Sequence, residues 1–261
     1  MADFILRPAR EEDRKKIIEI FTASFGDGEA FVRELLAESD LLSTACCAEM
    51  DEEVRSCMFA FHGLHHGSLK ASYLYGLCTE NAYRGRGMGK AVVEFSARCA
   101  IEKGADAVFL RAADDSLRRW YISEMGALPA APFSAFRIVP GTAAEKAKSI
   151  SPQEYFSLRR GSWLLPPSLL LAQGCIHRHF GGDFLRLGNA CLCAETSDKG
   201  ILIRELSAEQ PEKLLAAAAE HFGVRELYVL REDPDGTPLL FIKAQSIDSL
   251  TGLSPMPVTL D

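Results

Sequence analysis

The sequence predicts an α/β protein of the α+β type, in which helices pack on a mixed sheet. Three features support this class: a strand–helix–helix start, strands separated by single helices, and a second β-β-α-β-β order after residue 150. Of the 261 residues, 48% are hydrophobic and 25% are charged, which is the balance of an ordinary globular chain. Because domains hold roughly 150 residues, we expect one to two domains.

The first half of the chain has the order β-α-α-β-β-β-α-β-α-β. Apolar residues three or four apart, from Ile17 to Phe25, predict the first long helix, and Gly26-Asp27-Gly28 ends it. A short second helix follows around Leu35. The remaining predicted elements are strands at 43–50, 54–61 and 70–79, a helix at 88–103, a strand at 106–113, a helix at 116–125 and a strand at 133–139.

A polar, proline-bounded run divides the chain into two predicted domains. We assign residues 1–140 to the first domain, 141–152 to a linker, and 153–261 to a smaller second α/β domain. Its predicted order echoes the centre of the first domain, although the two halves share no clear sequence repeat. Its elements are helices within 153–182, strands at 184–195 and 201–206, a helix at 209–222, and strands at 226–231 and 238–244.

Composition and charge exclude several classes of function. The net charge is −7 and both halves are acidic, whereas a sequence-independent nucleic-acid binder presents a basic face. No apolar run approaches the roughly 20 residues of a transmembrane helix. We therefore expect neither nucleic acid nor a membrane as partner. The N-terminus turns charged at once instead of forming an apolar signal segment, so we expect a cytoplasmic protein whose thiols are free.

The cysteines and histidines do not predict a metal site. The closest cysteine pairs, Cys46-Cys47 and Cys191-x-Cys193, lie in strand-like runs, where cysteine packs as a small hydrophobe. The paired histidines lack a second pair of ligands at a zinc-site spacing. We expect no metal cofactor.

The most informative segment is YLYGLCTENAYRGRGMGK, residues 73–90, in which a strand runs through a glycine-rich turn into a helix. Glycines allow a tight turn and bring backbone N–H groups close to a ligand. The first N–H groups of a helix have no internal partner, and the helix dipole adds positive potential. The segment therefore predicts a phosphate site, with an empty glycine-rich turn as the alternative. Basic residues add charge around it: Arg84, Arg86 and Lys90.

Two familiar phosphate motifs do not describe this segment. The GK[ST] ending and the long spacing of a Walker A loop are absent. The G-x-G-x-x-G spacing of a dinucleotide-binding fingerprint is also missing.

The pattern Arg84-x-x-Gly87-x-Gly89 resembles the R/Q-x-x-G-x-G/A motif of the GNAT superfamily of acetyltransferases, and the resemblance extends over about residues 3–140. It implies a mixed central sheet whose strands splay apart, with acetyl-coenzyme A as the co-substrate. The glycine loop would hold its pyrophosphate, and the strand backbone at Leu77 and Thr79 would pair with its pantetheine arm. The coenzyme site implied in this way comprises Leu77, Cys78, Thr79, Arg84, Gly85, Arg86, Gly87, Met88, Gly89 and Lys90.

The layout also resembles tandem GNAT proteins whose second copy is degenerate. Before the predicted helix at Glu209, the segment SAEQPEK replaces the glycine loop. We therefore expect the second domain to be GNAT-like and to bind no coenzyme.

The resemblance implies direct transfer of an acetyl group to an amine of a small molecule or peptide. In this family a tyrosine protonates the leaving thiolate. Tyr121 is the candidate general acid, but it stands five residues before Gly126, one more than in the family's Y-x-x-x-G-F segment. A packing role is the alternative. Glu80 is a candidate base.

Two further questions stay open at the level of sequence. Tyr73, Tyr75 and His62 are candidates for the acceptor cleft, with ordinary strand packing and a loop histidine as the alternatives. The alternative to an enzyme is a non-catalytic protein that binds or senses acyl-coenzyme A.

Overall fold

The computed structural model describes residues 4–244 together with Leu250 and Leu253. Within these residues the helices α1 to α7 are Arg14–Phe25, Glu29–Glu38, Met88–Glu102, Asp115–Met125, Pro152–Leu158, Pro167–Phe180 and Pro211–Phe222. The strands β1 to β13 are Ile5–Pro8, Cys46–Met50, Glu53–His66, Leu69–Thr79, Ala107–Leu110, Leu128–Ile138, Lys148–Ser149, Trp163–Leu164, Gly182–Leu187, Ala190–Ser197, Gly200–Ser207, Leu227–Glu232 and Thr237–Ala244. The α/β class predicted from the sequence is confirmed.

The chain folds as two compact units that do not follow chain order. Of the described residues, 4–130, 239–244 and Leu250 belong to the first unit, and 131–238 and Leu253 to the second. The predicted boundary at residue 140 and the linker at 141–152 therefore need correction. Most of β6 pairs with β12 in the second unit, whereas the end of β13 pairs with β5 in the first. The last residues of the predicted second domain, 254–261, lie outside the described part of the chain.

Strand pairing explains this division. The backbone N–H and C=O groups of a buried strand must all find partners, so a strand joins whichever sheet edge can satisfy them. Periodicity in the sequence identifies a strand but does not say which edge it will extend. The boundary between the units is therefore a property of the tertiary structure.

The sheet of the first unit has the order β1-β2-β3-β4-β5-β13. All neighbours are antiparallel except β4 and β5, which run parallel and are joined through α3. Alternate residues of β3 contact different helices. Met58 belongs to the apolar cluster that includes α3, whereas the Phe59 ring lies 5.7 Å from that of Phe21 in α1. Helices α1 and α3 therefore cover opposite faces of the sheet.

The sheet of the second unit has the order β6-β12-β11-β10-β9-β7. The single strand predicted at 184–195 is in fact two strands, β9 and β10. Gly188 adopts a φ of +60°, which supports the tight turn between them. Strand β7 and the start of α5 also fall within the segment that was predicted to be a linker.

The second unit repeats the central arrangement of the first. In each unit a long strand pairs with its antiparallel predecessor through an irregular register, then continues through a helix into a short parallel neighbour. The repeated segments are β3-β4-α3-β5 and β10-β11-α7-β12. The β-β-α-β-β echo in the sequence therefore has a structural counterpart.

Two further features concern membrane-spanning helices and disulfide bonds. Among the described residues, no helix combines the length and hydropathy needed to cross a membrane. None of the eight cysteines, all of which lie in the described part of the chain, forms a disulfide.

The exchange of strands between the units can be tested at Leu240. This β13 residue is fully buried in the apolar cluster of the first unit with Val108 and Leu110. We expect Leu240→Ala to lower the free energy of unfolding by about 2–5 kcal/mol, because it leaves a cavity in that cluster. Chemical denaturation measures the change. The exposed residue Val139 provides the control, since its substitution by alanine should cost less than about 0.5 kcal/mol. Equal effects of the two substitutions would contradict the assignment of β13 to this core.

Candidate functional site

The site forms where β4 continues past the end of β5. The two strands pair in parallel from Ala71–Ala107 to Leu74–Leu110, where β5 ends, yet β4 runs on to Thr79. On its other side, β4 stays paired with β3 as far as Ser56–Thr79. The segment 75–79 therefore has one edge in the sheet and one edge that β5 does not cover. The pairing between β4 and β5 therefore ends partway along β4, as the sequence predicts.

A bulge interrupts this segment at Gly76. Cys57 pairs with Cys78 and Phe59 pairs with Tyr75, so two residues of β4 lie opposite one residue of β3. Gly76 has a φ of +68°, and a Cβ built there would lie 2.6 Å from the ring of Phe21. Both the backbone conformation and the packing therefore require glycine at this position.

The glycine loop turns directly into α3. Gly85 and Gly87 have φ values of +76° and +81°, and Gly87 is the N-cap of the helix. Met88 is buried in the core and anchors the first turn. A Cβ built at Gly89 would lie 3.5 Å from Thr79 Oγ1, which is an ordinary contact. The start of α3 therefore lies beside the end of β4, as the motif predicts.

Three cations surround this helix start. Arg84 Nε donates to the carbonyl of Thr79 at 3.2 Å, and Arg86 Nη2 donates to the carbonyl of Ala82 at 3.4 Å, while both side chains stay exposed. Lys90 Nζ lies 3.9 Å from the Glu124 carboxylate of α4. Helix N–H groups and mobile guanidinium groups together suit a phosphate-bearing ligand.

The side chains of the predicted coenzyme strand have unequal access to a ligand. Cys78 is buried, and its Sγ lies 3.2 Å from Sγ of Cys57, so only its backbone faces the site. Leu77 and Thr79 are half-buried. Thr79 Oγ1 shares a hydrogen bond of 2.8 Å with Ser56 Oγ. The strand therefore offers mainly backbone groups to a ligand.

Tyr121 faces the core in spite of its unusual spacing. It is 5% exposed, whereas its neighbour Ile122 is 40% exposed. Gly126 ends α4 in the common left-handed cap, in which the Tyr121 carbonyl accepts from the N–H of Ala127 and the Ile122 carbonyl accepts from the N–H of Gly126. The helix is regular before that point. Tyr121 belongs to the apolar cluster that also contains Leu74, Met88 and Leu110.

The electrostatics at Tyr121 keep its hydroxyl protonated. Burial raises the pKa of Tyr121 well above its usual value, since a phenolate is poorly stabilised away from water. No other described residue forms a hydrogen bond with this hydroxyl. Tyr121 is therefore suited to hold a proton at neutral pH.

Glu80 lies just beyond β4 in a cluster of charges. Its carboxylate accepts from Arg55 Nη1 at 2.8 Å and from Lys16 Nζ at 3.3 Å. The hydrogen bond from Arg55 lowers the pKa of Glu80, and Lys16 lowers it further. A carboxylate stabilised in this way is a weak base.

No local pattern in the sequence indicates the partners of Glu80. Arg55 is nearly buried in β3, and its guanidinium carbon lies 4.4 Å from the centre of the Tyr83 ring. The guanidinium carbon of Arg86 lies 4.9 Å from the same ring centre, so two guanidinium groups make cation–π contacts with Tyr83. These residues meet only because β3 and the loop after β4 come together, and no local pattern signals that contact.

The residues considered for an acceptor cleft occupy different environments. Tyr73 is buried, and its ring lies between those of Phe61 and Phe109, so it packs in the core. His62 Nδ1 is 2.9 Å from Ser72 Oγ, and burial lowers the pKa of His62 to about 4. Tyr75 is half-buried beside the bulge and is the member of this group that adjoins the free end of β4.

The second unit has a different structure at the place that corresponds to the glycine loop. A cavity of about 590 Å³ lies beside the start of α7, and both basic and acidic side chains line it. Pro211 is the first residue of the helix and has no N–H to donate. Charged residues in its lining include Glu145, Arg160, Glu209 and Lys213.

Comparison with known sequences adds a family match. Residues 6–126 match the sequence model of the acetyltransferase (GNAT) family. A search of curated proteins found none that matches the chain.

Solved structures share the fold over nearly the whole chain. A GCN5-related N-acetyltransferase from Kribbella flavida aligns with a TM-score of 0.65 at 15% identity, covering 92% of this chain and 71% of its own. One from Anabaena variabilis aligns with a TM-score of 0.64 at 13% identity, covering 92% and 73%. A candidate acetyltransferase from Pyrococcus horikoshii aligns with a TM-score of 0.59 at 12% identity, covering 99% and 96%. The two-unit architecture as a whole therefore has solved counterparts.

The protonation state of Tyr121 can be tested by titration. Exposed tyrosines ionise near pH 10, whereas the raised pKa of Tyr121 keeps its hydroxyl neutral there. We expect the ultraviolet absorbance change of phenolate formation around pH 10 to have the same amplitude in Tyr121→Phe as in the parent protein. A smaller amplitude in the variant would show that Tyr121 ionises as an exposed tyrosine does.

Proposed function

Since residues 6–126 belong to the acetyltransferase (GNAT) family, we propose that this protein is an acetyl-coenzyme A-dependent N-acetyltransferase. Acyl transfer is the activity that family membership supports in general. The narrower proposal is direct transfer of acetyl to the amine of a small-molecule or peptide acceptor. The observation that carries it is the free end of β4, which lies beside a glycine loop and the start of α3.

The residues present fit the coenzyme. The loop from Arg84 to Gly87 and the first N–H groups of α3 would hold the pyrophosphate, because they combine unpaired donors with positive charge. The backbone at Leu77 and Thr79 would pair with the pantetheine arm on the edge that β5 leaves uncovered. Bound there, acetyl-coenzyme A supplies an acetyl group activated as a thioester.

The bulge supplies a further backbone group. At Gly76 and Leu77 the ladder between β3 and β4 is irregular, and we infer that a backbone N–H in this stretch would be available to a ligand. We assign it to the thioester oxygen, where negative charge develops during transfer.

Two side chains are assigned to proton transfer: Tyr121 as the acid and Glu80 as the base. Tyr121 Oη would protonate the leaving thiolate, although the burial that raises its pKa also makes it a weaker proton donor. The acceptor amine must lose a proton before it can attack. Glu80 is the predicted base, but the cations that lower its pKa weaken it in this role. We therefore expect water to share in removing the proton.

For the second unit we propose a tandem, degenerate copy that binds no coenzyme. Its repeated strand–helix–strand arrangement supports the tandem origin. Pro211 removes a backbone donor at the start of α7, and acidic side chains offset the basic ones in the adjacent cavity. Both features oppose the binding of a pyrophosphate.

The coenzyme loop can be tested with a matched pair of variants at the two ends of α3. Gly87 and Gly104 both have positive φ, and a Cβ at either position would meet nothing within 4 Å. Leucine at either site therefore imposes a similar backbone strain, of about 1–2 kcal/mol. We expect Gly87→Leu to weaken coenzyme A binding at least ~10-fold in calorimetry, which corresponds to about 1.4 kcal/mol. Gly104→Leu should leave the affinity unchanged. Equal affinities in the two variants would refute the loop assignment.

Tyr121→Phe tests the assigned acid. The variant keeps the ring and removes only the hydroxyl, so we expect packing and coenzyme affinity to persist. Turnover should fall by about 10²–10⁴-fold, the usual contribution of general acid catalysis. Tyr228→Phe is the control, because it removes a hydroxyl that binds Glu226 in the second unit. Full turnover in Tyr121→Phe would exclude this residue as the acid. Coenzyme binding by a parent protein that acetylates no amine would instead favour the acyl-coenzyme A sensor.

A further inference from the structure

A closed ring of four charged side chains lies at the end of β4, outside the glycine motif. Arg55 and Lys16 each contact both Glu53 and Glu80, at N–O distances of 2.8 to 3.6 Å. Lys16 comes from α1, Glu53 and Arg55 from β3, and Glu80 directly follows β4. Opposite charges alternate around the ring, so their charges cancel within it.

Arg55 is the most deeply buried member of this ring. Its side chain is 11% exposed, against 25% or more for each of the other three. A buried guanidinium group needs partners for its donors inside the protein. Arg55 Nε donates to the carbonyl of Met50 at 3.3 Å, and Arg55 Nη1 donates to the Glu80 carboxylate at 2.8 Å. These bonds fix the plane of the guanidinium group between β2 and the end of β4.

Arg55 contacts the connection between β4 and the glycine loop at both ends. At one end, its carbonyl accepts from the N–H of Glu80 at 2.8 Å, and its guanidinium group binds the Glu80 carboxylate. At the other end, its guanidinium carbon lies 4.4 Å from the centre of the Tyr83 ring. Tyr83 is the last residue of the short 3-10 turn Asn81–Tyr83, directly before Arg84. One residue of β3 therefore holds the whole of this connection.

The Tyr83 ring passes this constraint on to Arg86. The Arg86 guanidinium carbon lies 4.9 Å from the centre of the ring, and its Nη2 donates to the carbonyl of Ala82 at 3.4 Å. The side chain is thus folded back over the turn, although it is exposed. The carboxylates around Arg55 offset its charge, which allows a second guanidinium group to approach the same ring. Fixing an arginine before a ligand arrives reduces the entropy that binding must cost.

We propose that Arg55 is a positioning residue for coenzyme binding: it fixes the Tyr83 ring, and the ring holds Arg86 where the pyrophosphate would bind. Arg55 belongs to β3 and not to the glycine motif, and it acts without touching the coenzyme. This inference rests on the proposed coenzyme site and adds to it a residue that determines its affinity from outside.

Calorimetry with coenzyme A on the full chain tests the inference. Arg55→Met removes the guanidinium group and keeps an unbranched side chain, and we expect it to weaken binding about 10-fold, within the range of a cation–π contact. Arg7→Met is the matched control. Arg7 is a 13% exposed arginine of the same unit that also binds two carboxylates, those of Asp13 and Glu49. Its substitution should leave the affinity unchanged. Chemical denaturation checks that both variants are folded.

A double-mutant cycle separates positioning from support of the fold. Tyr83→Leu should weaken coenzyme A binding by a similar factor, whereas Tyr83→Phe should not, because phenylalanine keeps the ring that the guanidinium groups contact. In the Tyr83→Leu background, Arg55→Met should weaken binding by less than about twofold, since residues that act through one contact are not additive. A charge left uncompensated on Glu80 would instead weaken binding equally in both backgrounds.

Arg55→Lys provides a second variant if Arg55→Met does not fold. Lysine keeps a cation between Glu53 and Glu80 but lacks the flat guanidinium group that stacks on Tyr83. We expect it to weaken coenzyme A binding at least ~3-fold, because the two residues are not equivalent at a stacked site. Arg7→Lys should leave the affinity unchanged.

The outcomes distinguish the inference from the function on which it rests. If the parent protein and the Arg55 variants bind coenzyme A equally, the positioning role is wrong and the proposed function stands. An effect of Arg55→Met that persists in full beside Tyr83→Leu also overturns the role. Weakening that is confined to the Arg55 and Tyr83→Leu variants, and is non-additive between them, supports it. A parent protein that binds no coenzyme A overturns the proposed function, and the inference with it.

Discussion

The site depends on one constraint, which is that β5 ends at Leu110 while β4 continues to Thr79. A strand edge with unpaired N–H and C=O groups is normally covered, or else exposed to adventitious pairing. Here the start of α3 lies beside its end at Thr79, and its other edge is fixed by β3. A ligand that extends along this edge finds rigid backbone groups whose positions the sheet has already set. Binding there therefore orders little of the protein.

The bulge at Gly76 gives the two faces of β4 different properties. On the α3 face, Leu74 and Leu77 join the apolar cluster that holds Tyr121. On the α1 face, Tyr75 and the Phe21 ring border the same backbone. A ligand bound along the strand and a second reactant can therefore reach one point of β4 from opposite sides. Glycine is needed there because a side chain would collide with Phe21.

The second unit repeats this strand arrangement but surrounds it with buried ion pairs. Its strand β11 also separates from β12 after two parallel pairs. Buried ion pairs fill the unit around that strand: Arg159 binds Glu205 at 2.6 Å, and Arg204 binds Glu195. Breaking one partner of such a pair costs about 3–5 kcal/mol, because the other charge stays buried. These charges lie in a unit whose α7 begins at Pro211, a residue with no N–H to donate.

The sequence by itself determined the central elements of the first unit and its glycine loop, because both rest on local chemistry. Apolar periodicity defined α1 and α3, and glycines at Gly85 and Gly87 marked a turn that needs positive φ. Contacts between distant segments were decided only in the tertiary structure. The burial of Tyr121 depends on how α4 packs on the apolar cluster of the first unit, and the partners of Glu80 come from α1 and β3. The exchange of β6 and β13 between the units follows from which sheet edges are available, and no local pattern in the sequence encodes that choice.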